Sequence, residues 1–210
     1  MITGVNHLAF MTNDMDATIR FYRDLLGMEL RVGIGAPGWR HYFFRFGDDH
    51  IAFFEYDGVA PMIKRPHGAM TKEPLGFDHV SLNVASREDL FALRDRLLAA
   101  GIEASDAVDH GWTWSVYFYD PNNIPLEIAW DCAEIIETPA IHDPDMAATA
   151  REGAQPQPGV WPEVTDPTPP ERQVAWPGGG YDWRERFVGE GKAKAKPGVA
   201  TVGLDEQAAE

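Results

Sequence analysis

Two histidines sit in matched settings. His7 lies in Gly4-Val5-Asn6-His7-Leu8-Ala9-Phe10-Met11-Thr12, and His79 lies 72 residues on, in Gly76-Phe77-Asp78-His79-Val80-Ser81-Leu82-Asn83-Val84. Two acids, Glu55 and Glu127, are separated by the same 72 residues. Side chains alternate along a strand, so residues at equivalent strand positions project to the same side of a sheet. Imidazoles and carboxylates gathered on such a face suit a divalent ion such as Fe, Mn, Ni or Zn. Two His with one carboxylate leave coordination positions open for oxygen chemistry at iron. Glu127 is the most telling of the four, because Pro125-Leu126-Glu127-Ile128-Ala129 surrounds it with apolar neighbours. A carboxylate there is costly to bury unless it is paired or bound to metal. The expected ligands are His7, His79 and Glu127.

These residues need a frame, and the chain supplies one twice. Residues 4–11 read as a strand, followed by Asn13 as helix cap with Asp14 and Asp16 in the first turn. Ala17, Phe21 and Leu25 recur at helical spacing, and Gly27 ends the helix. Strands over 28–32, 41–46 and 51–56 complete a βαβββ module, residues 1–57. Residues 58–75, with Pro61, Pro66 and Pro74, form a connecting loop. The second module, 76–131, repeats the order. A strand over 77–84 leads to a helix capped by Ser86, striped by Leu90, Leu93 and Leu97 and ended by Gly101. Strands over 102–104, 112–119 and 124–130 follow, with a turn at 106–111. The fold class is α+β, in which two βαβββ modules form a cupped mixed sheet around a metal site.

The remainder, 132–210, differs in kind. It holds ten of the 16 prolines and nine of the 20 glycines and has no periodic apolar run. It reads as an irregular C-terminal arm that Trp161, Trp176, Tyr181, Trp183 and Phe187 could anchor, with 189–210 its most mobile stretch. A net charge of −15 excludes a nucleic-acid partner and disfavours an anionic membrane surface. The single Cys132 permits no intrachain disulfide, no apolar run approaches the roughly 20 residues of a membrane span, and no signal peptide is visible. The expected location is cytoplasmic.

Asn6-His7-Leu8, Phe21-Tyr22-Arg23-Asp24-Leu25-Leu26-Gly27-Met28, Asp78-His79-Val80 and Asp120-Pro121-Asn122-Asn123-Ile124-Pro125-Leu126-Glu127 together resemble the vicinal oxygen chelate superfamily. That group contains glyoxalase I, bleomycin and fosfomycin resistance proteins and extradiol ring-cleaving dioxygenases. The resemblance covers residues 1–131 and implies a metal held by His7, His79 and Glu127, with Fe(II) favoured over Mn, Ni or Zn. It implies a small substrate that chelates through two adjacent oxygens, and a homodimer. Glyoxalase I-like members carry a further Glu on the last strand of the first module. Glu55 takes that place at a constant 72-residue offset. Aligned instead on the Gly47-Asp48-Asp49 turn, Phe53 meets Glu127 and Glu55 becomes a rim acid. Extradiol members carry a tyrosine ahead of the Glu, a histidine shortly before it and an acid–base histidine on the first module. Tyr117, His110 and His50 are similar in place, although the His110–Tyr117 interval is shorter. The leading expectation is an extradiol-type dioxygenase acting on a catechol-like compound. The alternatives are a glyoxalase I-like lyase or isomerase with Glu55 as fourth ligand, and a ligand-sequestering resistance protein. His41, His67 and His142 have no matched partner and read as surface or loop residues.

Overall fold

The computed structural model describes residues 3–72, 76–178, 180 and 182–199. It divides into two units, Met1–Glu134 and Ile135–Glu210.

The first unit contains both modules. In the first, β1 (Leu8–Thr12) leads to α1 (Met15–Ile19), which continues as a π-helical stretch over Arg20–Leu25. Then come β2 (Glu29–Ala36), β3 (Trp39–Phe46) and β4 (Asp49–Tyr56). The sheet order is β1-β4-β3-β2, with β1 and β4 parallel and the other pairs antiparallel. The expected strand at 4–11 is shorter and later than its pattern, because the parallel pairing begins only at Leu8↔Ile51. β1 consequently runs to Thr12 and the helix cap moves to Asp14. Its side chain accepts the Ala17 N–H at 2.9 Å, so one otherwise orphaned donor is satisfied. Gly27 takes φ 79°, the left-handed terminator its position calls for.

In the second module, β5 (Val80–Asn83) leads to α2 (Arg87–Ala99), then β6 (Val108–Asp109), β7 (Thr113–Tyr119) and β8 (Pro125–Asp131), in the order β5-β8-β7-β6. Ser86 caps α2 by accepting from the Asp89 N–H. The expected strand over 102–104 is reduced to an isolated bridge, Ala104↔Phe118, and β6 forms within the expected turn instead. The cause is local. Ser105 Oγ accepts the Tyr117 N–H at 2.9 Å, taking a donor that a continued ladder would use.

One face of each sheet enters a shared core. Phe21, Tyr22, Phe44 and Phe53 of the first module and Leu90, Leu97, Val116, Phe118 and Leu126 of the second belong to one buried cluster. Tyr22 donates to Asp120 at 3.1 Å, and Thr12 donates to Asn122 at 2.8 Å, so the β7–β8 turn is tied to the first module. Burial, reinforced by the Asp120 charge, pushes the Tyr22 hydroxyl well above its ordinary value. Because the helix-covered faces share this core, the opposite faces are left to form sites.

The second unit is irregular, with 3₁₀ turns at Ala148–Glu152 and Pro170–Arg172 and a helix, α3 (Trp183–Gly189). Trp161 and Trp176, expected as anchors, are exposed. Tyr181 and residues 200–210 of the expected mobile stretch lie outside the described residues. Among the described residues no helix is long and apolar enough to cross a membrane.

Candidate metal centre

The second sheet gathers the chemistry. β5 and β8 run parallel with Ser81 beside Glu127, and β7 places Tyr117 directly opposite Glu127. His79 precedes Ser81 by two residues and shares its face. Glu127 is 6% exposed, and its Oε2 lies 2.9 Å from His79 Nε2. Asp78 Oδ1 makes a short hydrogen bond with the other ring nitrogen, Nδ1. That bond holds the Asp78 carboxyl below its ordinary range. With Nδ1–H given to Asp78, the Nε2 lone pair faces the Glu127 carboxylate. Two acceptors at 2.9 Å are stable only with a proton or a cation between them. A carboxylate–histidine pair oriented in this way is the donor chemistry of a divalent metal site. His79 and Glu127 therefore fit a metal ion as two of its ligands.

Tyr117 borders the pair. Its ring centroid is 5.8 Å from that of His79, and His110 Nε2 lies 2.9 Å from its hydroxyl. Burial, and then the Glu127 charge, push the Tyr117 hydroxyl upward. His110 and Tyr117 thus stand together beside the His79–Glu127 pair.

His7 stands apart. It is exposed on the first sheet, where Nδ1 is 2.8 Å from Asn6 Oδ1 and the ring meets Phe43 edge-on at 5.4 Å. Among the described residues no three His, Cys, Asp or Glu side chains gather to hold one ion. The structure joins His79 to Glu127 and does not bring His7 of the same chain to them. The shared core explains this, since each sheet presents its free face separately. His50 also belongs to the first sheet, opposite Arg45 and one step before the Leu8–Ile51 pair.

Glu55 is placed differently from both its expected roles. It alternates with Ile51 and Phe53 on the core face of β4, away from His7. Its Oε1 accepts the Met15 N–H at 2.8 Å, at the start of α1, and its Oε2 pairs with Arg40 at 3.1 Å. The strand registers show why the constant offset misleads. Leu8 pairs with Ile51 and Val80 with Leu126. The offset is therefore 72 on the first strand of each module (Leu8 to Val80) but 75 on the last (Ile51 to Leu126). The counterpart of Glu127 is Ala52, fully buried, rather than Glu55 or Phe53.

Two residues of the second-sheet cluster were not singled out as site residues by sequence. Asp78 could have been, since it adjoins His79. His67 could not, because only the path of the connecting loop brings its ring within 5.0 Å of Tyr117, 4.6 Å of Tyr119 and 6.1 Å of His79. Burial, then the neighbouring His79, push the His67 imidazole below its ordinary value. His41, also expected on the surface, is 8% exposed and stacks on Phe54 at 3.5 Å in the first sheet.

Paired βαβββ modules with a metal-type cluster on one free sheet face define a class. The chain belongs to the Glyoxalase/Bleomycin resistance protein/Dioxygenase superfamily, whose sequence profile matches residues 4–128. It is 28% identical over 135 residues to an iron-dependent extradiol dioxygenase of Rhodococcus jostii (strain RHA1). The match takes in 63% of this chain and 44% of that protein, so the chain spans less than half the length of this curated relative. Among solved structures, a glyoxylase/bleomycin resistance protein/dioxygenase domain from Frankia sp. EAN1pec has a TM-score of 0.54 at 25% identity, over 62% of this chain and 99% of that one. A variant of the fosfomycin resistance protein FosX from Listeria monocytogenes, complexed with Mn(II) and a dihydroxypropylphosphonic acid, shares the fold. Its TM-score is 0.50 at 20% identity, covering 64% of this chain and 96% of that one.

Proposed function

We propose that this chain is the subunit of a divalent-metal dioxygenase. It would act with Fe(II) and O2 on a small catechol-like compound that presents two adjacent oxygens. The observation that carries this reading is the His79–Glu127 pair with Asp78 behind it and the Tyr117–His110 hydrogen bond beside it. The likeness to an iron-dependent extradiol dioxygenase supports the same choice. A lyase or isomerase of the glyoxalase I kind, with Ni or Zn, would need a fourth ligand on the first sheet. Ala52 stands at that place and Glu55 is engaged with α1, which speaks against it.

In this proposal the third ligand, His7, comes from the first module of a second copy of the chain. A homodimer built in this way would close the free face of one first sheet over the free face of its partner's second sheet. His50 would approach with His7. The bound ion would supply Lewis-acid and redox chemistry. Asp78 keeps His79 in the tautomer that offers Nε2. Tyr117 Oη and His110 Nε2 share a proton at 2.9 Å and can take one from a substrate hydroxyl or return it. The apolar core beneath Glu127 limits water at that carboxylate.

The test is anaerobic loading with Fe(II), followed by oxygen uptake on a panel of catechols. Uptake that requires iron and disappears in Glu127→Ala is the expected result. An iron-loaded protein that consumes no oxygen with any catechol would end the dioxygenase reading.

A further inference from the structure

The connecting loop is fastened to the second module along its length. The Met62 N–H donates to the Asn122 carbonyl at 2.9 Å, and Asn123 Nδ2 donates to the Met62 carbonyl at 2.8 Å. Lys64 Nζ sits 4.4 Å from the Tyr119 ring centroid and pairs with Glu103 at 3.2 Å. The Tyr119 hydroxyl donates to the Arg65 carbonyl. The Gly68 N–H reaches both oxygens of Asp78 at 3.2 Å. Between the last two contacts stands His67. Its ring packs on Tyr119, Tyr117 and His79, and its Nε2 is shielded from solvent with no hydrogen-bond partner. A buried polar atom left unpaired is disfavoured. The Leu126 and Phe118 backbone borders the ring nitrogens, and the largest contribution to the site comes from the ring as a packed body. Aromatic rings at centroid distances of about 4.5–7 Å attract one another and fix each other's orientation.

We propose that His67 is a positioning residue: its ring, together with the Gly68 N–H on Asp78, holds His79 so that Nε2 faces Glu127 in the orientation a metal requires. This rests on the reading of His79 and Glu127 as metal ligands. The loop then acts as a brace built behind the metal centre. His67 itself contributes no donor atom to the ion.

The experiment is Mn(II) binding to the full chain, followed by the electron paramagnetic resonance signal of free Mn(II). The variants compared are His67→Ala, His67→Phe, His79→Ala and Glu127→Ala, each checked for an unchanged circular-dichroism spectrum. His67→Ala should keep the wild-type stoichiometry while its Kd for Mn(II) rises about 10- to 100-fold, the usual cost of losing support behind a ligand. His67→Phe, which keeps a ring but no nitrogen, should restore Kd to within about threefold of wild type. A wild-type Kd in His67→Ala would overturn the proposal, and so would a His67→Phe variant as weak as His67→Ala. The underlying reading fails separately, if His79→Ala and Glu127→Ala bind Mn(II) as well as wild type does.

Discussion

The two modules share strand order, a parallel edge pair and a helix on the core side, yet their free faces differ sharply. The first sheet presents His7, His41, Phe43, Phe54 and Tyr56, a mostly aromatic surface with Ala52 at its centre. The second presents Asp78, His79, Glu127, Tyr117 and His110, linked by hydrogen bonds and the close His79–Glu127 contact. A repeated frame sets where a strand position points. It does not set what stands there. The second module carries two extra residues between helix cap and helix-ending glycine and one in the β7–β8 turn, and where the first module sets Ala52 across from Phe43 it sets Glu127 across from Tyr117. In the proposed dimer one face would hold the cation and the other would cover it.

Removing either side of that division should have the largest effect. His79→Ala and Glu127→Ala are each expected to lower metal affinity by more than about 100-fold, beyond the usual effect of losing a supporting group. His7→Ala should do the same if the two faces close over one ion in a dimer. Chains carrying His7→Ala mixed with chains carrying His79→Ala should then recover metal that neither holds alone, measured by metal analysis after co-refolding. No recovery would separate the two faces functionally.

A change that makes the first face resemble the second comes next. Ala52→Glu places a carboxylate at a fully buried position and should cost about 3 kcal/mol of stability in metal-free protein. If the first face can join a metal site, added Ni(II) or Zn(II) should recover part of that loss in a thermal melt. An equal loss with and without metal would show that Ala52 belongs to packing alone.

The seam between the modules gives a smaller effect. Tyr22→Phe removes the donor to buried Asp120 and should cost about 1–3 kcal/mol. The folded-state value of this hydroxyl lies well above 10. Its contribution is therefore complete below about pH 10 and is lost as pH climbs through the raised value. Urea melts from pH 8 to 11 should show an alkaline loss of stability in the wild type that is shallower in Tyr22→Phe.

The smallest effect belongs to Glu55. Glu55→Gln keeps an acceptor for the Met15 N–H but removes the charge at the start of α1. It should cost about 0.3–1 kcal/mol and leave metal content unchanged. A loss of metal in this variant would restore Glu55 to the ligand set.

Much of this arrangement was legible in the order of residues. Gly27 and Gly101 marked the helix ends. Ser86 with Asp89 marked a cap, and the apolar run around Glu127 marked a carboxylate that needed a partner. Each depends on neighbours within a few positions. The pairing of His110 with Tyr117 was also within reach, because a short connection between strand residues keeps them close. Glu55 was misplaced because a constant offset assumes segments of equal length, and the second module is longer by two residues in its helix and by one in its last turn. His67 was missed because its partners lie 12, 50 and 52 residues away, and no local pattern encodes where a proline-containing loop will run.

The sequence by itself determined a duplicated βαβββ frame, the residue types able to bind a divalent ion and the proline- and glycine-rich, irregular character of the C-terminal stretch. Those properties follow from periodicity, capping and composition, which act over short distances along the chain. Only the tertiary structure decided that Glu127 shares a face with His79 while Glu55 turns toward α1, and that His7 remains on a separate surface. The physical reason is that strand register and the choice of buried face are set by the lengths of the helix and turns between strands and by a core common to both modules. Neither is a property of any single segment.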